Sequence, residues 1–206
     1  MLEVVCFGDS ITARNEGYPS PILTYKLSLK MKGYKFINAG VSGNTTEQAM
    51  QRFNKDVLSR CPDIVTILFG ANDSSLHKFV ELESFKQNII EFTKKIGPSR
   101  TILITPAPVD ESLQPNRSNA RLQQYAQAVK DVASETGSHF IDFFQVLYSE
   151  PNYIELLRGE KDDGLHFGEE GYEILTSLIA QKLKDIDIDK KKTNFFQRVL
   201  NRLDSK

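Results

Sequence analysis

Ser10 stands where the apolar run Leu2 to Phe7 breaks into a polar turn, in the stretch Phe7-Gly8-Asp9-Ser10-Ile11-Thr12. A serine hydroxyl is a poor nucleophile unless a base removes its proton, and the usual base is a histidine held by a carboxylate. The chain offers three histidines. His139 falls inside an apolar, strand-like segment where packing is the simpler role, and His77 has no carboxylate in a patterned relation to it. His166 differs. In Asp162-Asp163-Gly164-Leu165-His166-Phe167 a carboxylate precedes it by three residues and Gly164 lets the loop turn. Ser10, His166 and Asp163 are therefore the candidate nucleophile, base and orienting carboxylate of an acyl transfer.

The transition state of such a reaction needs donors aimed at a developing oxyanion. The backbone amides of Ser10 and Gly43 and the side-chain amide of Asn72 would supply three. Turn geometry also accounts for Gly43, and an Asx-turn for Asn72, but loop structure and donor placement do not compete. Asp9 is expected to brace the turn rather than perform chemistry. Gly40-Val41-Ser42-Gly43 begins like a G-x-S-x-G elbow, yet the spacing fails after Gly43, which sets Ser42 aside as a nucleophile.

These residues lie at the ends of predicted strands. Leu2 to Phe7 reads as a strand buried on both faces, and Tyr34 to Ala39, Asp63 to Phe69, Thr101 to Thr105 and Ser138 to Phe143 read as four more. Between them lie helical patterns. One starts near Pro19 or Pro21 and runs to Met31; another follows a Thr45/Gln48 capping box, with Ala49, Met50, Phe53 and Val57 at helical spacing. Leu82 to Ile96, Leu122 to Val132 and Ile174 to Leu183 carry further apolar stripes. This alternation predicts a three-layer α/β/α sandwich around a five-stranded parallel sheet. Right-handed crossovers put every strand-to-helix loop on one edge. A flavodoxin-like order 2-1-3-4-5 would set Ser10 between the Gly43 and Asn72 loops.

Four blocks, Phe7-Gly8-Asp9-Ser10, Gly43 within Asn38 to Thr45, Gly70-Ala71-Asn72-Asp73 and Asp163-Gly164-Leu165-His166, resemble those of the SGNH, or GDSL, hydrolases. Ile104-Thr105-Pro106-Ala107-Pro108-Val109-Asp110 and Asp163 to Phe167 bring the isoamyl acetate-hydrolysing esterase group closest. The resemblance implies a serine esterase or acylhydrolase acting on small or lipid-like esters, with Ser10, Asp163 and His166 catalytic and Ser10, Gly43 and Asn72 forming the oxyanion hole. It implies no metal or organic cofactor. A carbohydrate deacetylase, thioesterase or lysophospholipase with the same triad is the alternative, and an inactive binding module is the reading from another class. The chain departs from the subgroup in lacking a tryptophan between Ala13 and Pro21, and indeed anywhere, so the resemblance does not extend to the shape of the acyl pocket.

Composition narrows the partners. The 206 residues carry 26 Lys+Arg against 27 Asp+Glu, a formal charge of -1, which leaves no global basic field for nucleic acid. Cys6 and Cys61 lack metal-ligand spacing and read as reduced thiols. No apolar run approaches the roughly 20 residues of a membrane span, and the expected location is cytoplasmic. Residues 1–189 are expected to form one hydrolase domain. Residues 190–206, with Lys190-Lys191-Lys192 ahead of Phe195, Phe196, Val199, Leu200 and Leu203, are expected to form a basic amphipathic helix packed on the body or mobile, with a homo-oligomer contact or membrane-surface association as its other uses.

Overall fold

The computed structural model describes the backbone of residues 1–203 and the side chains of residues 1–186. In chain order the elements begin with β1 (Leu2–Gly8), α1 (Ser10–Ala13), α2 (Ile22–Lys30), β2 (Tyr34–Gly40) and α3 (Thr46–Asp56). They continue with β3 (Ile64–Leu68), α4 (Leu82–Ile96), β4 (Thr101–Ile104), α5 (Asn119–Thr136) and β5 (His139–Ile141). Two short helices, α6 (Phe143–Tyr148) and α7 (Tyr153–Leu156), precede the long α8 (Glu169–Leu203). The expected packing of an amphipathic segment over 190–206 falls on side chains outside the described residues.

All strand pairs are parallel and the sheet order is β2-β1-β3-β4-β5, as the alternation predicts. Side chains along a strand point to opposite faces in turn, and here both faces are buried. Val4, Cys6, Ile64, Leu68, Ile102 and Ile104 pack with α2 and α8 through Leu23, Leu27, Leu175 and Ile179. Val5, Phe7, Val65, Ile67 and Leu103 pack with α3, α4 and α5 through Phe53, Phe85, Phe92 and Val129. Phe7 anchors the second layer, its ring 5.5 Å from Phe53, 5.1 Å from Phe69 and 5.3 Å from Phe92. Burial pushes the Cys6 thiol up to about 12, so it stays a packing group.

Helix ends follow the local sequence. Thr45 and Gln48 form the capping box, each side chain bonding the other's backbone amide. Gly137 closes α5 in the left-handed conformation at φ +74. Strand ends shift from expectation by one residue in several places, and two differences go further. The apolar stretch to Phe143 leaves the sheet after Ile141, because the Asp142 carboxylate accepts from the Gln145 amide and starts α6. The turn holding Ser10 is itself a short helix, α1, capped by Asp9, whose Oδ1 accepts from the Ile11 amide at 2.9 Å.

Gly8 and Gly40 are register partners at the carboxyl ends of β1 and β2, and α1 lies against both. A Cβ on Gly40 would sit 2.5 Å from the Ala13 backbone nitrogen and 2.8 Å from the Thr12 carbonyl carbon. Neither can swing aside as a side chain would. Gly40→Ala is therefore expected to cost about 2 kcal/mol in urea denaturation and, by displacing Ser10, about 100-fold in kcat/KM. Wild-type values on both counts would show that α1 can shift without consequence.

Candidate active site

The carboxyl ends of β1, β2 and β3 release three loops side by side, and a fourth, ahead of α8, closes over them. Ser10 is the first residue of α1 and 9% exposed. Its Oγ lies 2.9 Å from His166 Nε2, and His166 Nδ1 lies 2.7 Å from Asp163 Oδ2. The other Asp163 oxygen accepts from the amides of Leu165 at 3.1 Å and His166 at 2.9 Å, which fixes the carboxylate relative to the ring. Gly164 makes this tight loop, at φ +69, and its carbonyl accepts from the Asp110 amide at 2.8 Å.

Burial lowers the pKa of His166 below its ordinary 6.5; Asp163 opposes that shift, while Arg14 and Lys161 add to it. The imidazole is thus neutral near neutral pH and free to accept a proton. Burial alone would raise the Asp163 carboxyl, but hydrogen bonds from the His166 amide and ring bring it below its usual range.

Gly43 and Asn72 flank Ser10 on the two sides that the strand order sets. Ser10, Gly43, Asn72 and His166 all line one open cleft of about 210 Å³. The amides of Ser10 and Gly43 donate to no acceptor among the described residues. Gly43 sits at φ +78, where only glycine is unstrained, and Lys78 Nζ donates to its carbonyl at 2.7 Å. Asn72 Nδ2 faces Asn44 O at 3.1 Å and Asp9 Oδ2 at 3.3 Å, so both amide protons have protein acceptors. The orientation of this amide is fixed from its other end, where Arg117 Nη2 donates to Oδ1 at 3.4 Å while Arg117 Nε donates to Ala71 O at 2.8 Å.

Ser42 reaches the same cleft, but no histidine bonds its hydroxyl among the described residues. His77 also lines the cleft and is bonded to the Ser75 hydroxyl at 3.3 Å instead of a carboxylate. His139 is half-buried at the start of β5, with Nε2 3.3 Å from Ser99 O. Among the described residues no group of three or more histidines, cysteines and carboxylates could hold a metal ion.

Several supporting residues escape sequence reading. Arg52, on α3, donates to Gly8 O at 3.0 Å, Ala39 O at 2.8 Å and Asn44 Oδ1 at 2.7 Å, tying together the ends of β1 and β2 and the Gly43 loop. Its guanidinium also lies 4.7 Å from the Phe7 ring centroid. Gln114 Nε2 donates to Asp163 O at 2.6 Å. Tyr172, fully buried on α8, donates its hydroxyl to Ile11 O at 2.7 Å. Most of their partners lie far away in sequence, so no local pattern marks them.

Two buried carboxyls underlie the site. Burial pushes Asp9 up to about 7, with the Ile11 amide opposing and Asp73 adding to the effect. Burial likewise pushes Asp73 up to about 6, against hydrogen bonds from the Thr46 hydroxyl at 2.6 Å and amide at 2.8 Å; its Oδ2 has no partner among the described residues. A carboxyl whose pKa is raised by folding contributes stability that is complete below its unfolded value, near 3.8, and is lost as pH rises through the folded value. From pH 4 to pH 7, Asp73→Asn should accordingly gain about 2 kcal/mol relative to wild type, because the amide does not ionise. Urea denaturation across that range reads this slope, and parallel curves for the two proteins would mean that Asp73 does not titrate there.

Residues 6–174 match the model of the GDSL-like lipase/acylhydrolase family. A solved lipase/acylhydrolase from Enterococcus faecalis superposes with a TM-score of 0.82 at 34% identity, covering 90% of this chain and 96% of its own. Among curated proteins, a GDSL esterase/lipase of Arabidopsis thaliana is 30% identical over 89% of this chain and 86% of its own length. The isoamyl acetate-hydrolyzing esterase 1 homolog of Homo sapiens is 29% identical over 90% and 84% respectively. The chain belongs to the GDSL-like lipase/acylhydrolase family and is a serine esterase or acylhydrolase.

Proposed function

We propose that Ser10 is the nucleophile of this esterase, His166 its base and Asp163 the group that orients the base. The observation carrying this reading is the unbroken series Ser10 Oγ, His166 Nε2, His166 Nδ1 and Asp163 Oδ2, bonded at 2.9 and 2.7 Å and opening on the cleft. His166 takes the hydroxyl proton as Ser10 Oγ attacks the ester carbonyl, and Asp163 stabilises the imidazolium that forms. The tetrahedral oxyanion is met by the amides of Ser10 and Gly43 and by Asn72 Nδ2. The longer Asn72 bond, to Asp9, is the one an oxyanion displaces. Collapse breaks the ester C–O bond, and His166 returns its proton to the departing alcohol. Water, deprotonated by the same histidine, then hydrolyses the acyl-enzyme.

Small carboxylic esters are the substrate class. The cleft, about 210 Å³, lies below the range of pockets that enclose drug-sized ligands, and the human relative is named for an acetate ester. Residues 1–189 form the hydrolase domain in this reading, which is supported by the packing of α8 on the sheet through Leu175, Ile179 and Leu183.

A fluorophosphonate separates the catalytic reading from that of an inactive binding module. Wild-type protein should be labelled covalently and Ser10→Ala should not, and equal labelling of the two would remove Ser10 from the mechanism. If Asn72 is an oxyanion donor, Asn72→Ala should lower kcat by about 100- to 1,000-fold with an unchanged circular dichroism spectrum. A wild-type rate would leave Asn72 a structural role only.

A further inference from the structure

The charges around the cleft are one-sided. Arg14, Lys78, Arg117 and Lys161 line it, and no aspartate or glutamate does among the described residues. The whole chain is nearly balanced, with 26 basic and 27 acidic residues, so this local excess is not a reflection of composition. Two of the four cations are matched nearby. Arg14 pairs with Glu16, and Arg117 lies within the fields of Asp9 and Asp163. Lys78 and Lys161 are exposed and belong to no ion pair among the described residues. Lys78 is held against the Gly43 loop by its bond to the Gly43 carbonyl, and Lys161 is close enough to His166 to bear on its charge. One uncompensated cation therefore stands at the oxyanion side of the site and another at the base side.

We propose that this cleft selects esters that carry a negative charge of their own, a carboxylate or a phosphate, on the part that lies beside Ser10. This rests on Ser10 being the nucleophile. A cleft lined by one sign of charge concentrates ligands of the other sign. Lys78 and Lys161 would contact the anion, while Arg14 and Arg117 contribute to the field. A neutral ester gains nothing from the arrangement.

The test uses matched substrates. 3-Acetoxybenzoate and 3-acetoxybenzamide differ in charge but little in size, and their phenolic leaving groups are comparable. Monophenyl adipate and its terminal amide move the same charge to the acyl side. At low ionic strength the wild-type kcat/KM should favour the anionic member of at least one pair by about tenfold, the scale expected when two or more exposed cations act together. Whichever pair shows the preference says whether the charge belongs to the alcohol or the acyl group.

In the Lys78→Gln, Lys161→Gln double variant the anionic-to-neutral ratio should fall to about twofold or less. Because Lys78 also touches the Gly43 loop, Lys161→Glu is the second arm; Lys161 makes no side-chain hydrogen bond or ion pair among the described residues, and reversing its charge should lower the ratio below that of Lys161→Gln. Equal wild-type turnover of charged and neutral esters in both pairs, or ratios that survive these substitutions, would overturn the charge selection while leaving ester cleavage at Ser10 standing. Turnover of all four esters by Ser10→Ala, or of none by wild type, would instead overturn the nucleophile and the selection with it.

Discussion

The site depends on how closely α1 approaches the ends of β1 and β2. Ser10 cannot reach His166 unless the chain turns at once after β1, and that turn is possible because two glycines, Gly8 and Gly40, are paired in the register beneath it. The parallel sheet brings the loops to one edge as a matter of topology, but it does not fix how far above the edge each loop rides. Contact of backbone on backbone does that. Arg52 completes the arrangement from the opposite layer by taking the carbonyls of Gly8 and Ala39 and the side chain of Asn44 on one guanidinium. A planar group with five donors in a fixed fork suits that task in a way a lysine ammonium would not.

Beneath the loops lies a polar layer that a core built for stability alone would not contain. Asp9 and Asp73 are buried, and burial disfavours their charged forms. Each nevertheless receives hydrogen bonds that define a loop: Asp9 from the Ile11 amide and Asn72, Asp73 from Thr46 at the start of α3. The carboxylates hold donors in place around Ser10, and Asn72 is held at both ends. Such a layer gives up stability in order to point a small number of amides in set directions.

Much of this was legible in the sequence. Buried-strand runs broken by Gly8, Gly40 and Gly70 specify parallel strands with polar loops, and the Thr45/Gln48 box marks a helix start through contacts three residues apart. Ser10, Gly43, Asn72 and His166 line one cleft, and Asp163 bonds the His166 ring from behind. What stayed hidden is what depends on distant partners. Arg52 looks like one charged residue on an amphipathic helix, and Arg117 and Gln114 like loop residues, until the fold sets them beside Gly8, Asn72 and Asp163. The end of β5 was misjudged for a local reason: Asp142-Phe143-Phe144 continues the apolar run, but the carboxylate turns it into a cap.

Tyr172 gives the architecture one more property. Its hydroxyl, reaching from the first turn of α8 to the Ile11 carbonyl, joins the helix behind His166 to the helix that begins with Ser10. Glu169 at the start of α8 also bonds Tyr18 at 2.6 Å and Lys26 at 2.9 Å, extending the connection to α2. These bonds tie residues far apart in the chain, and local opening of the first turn of α8 would loosen the surroundings of His166 and Ser10 together.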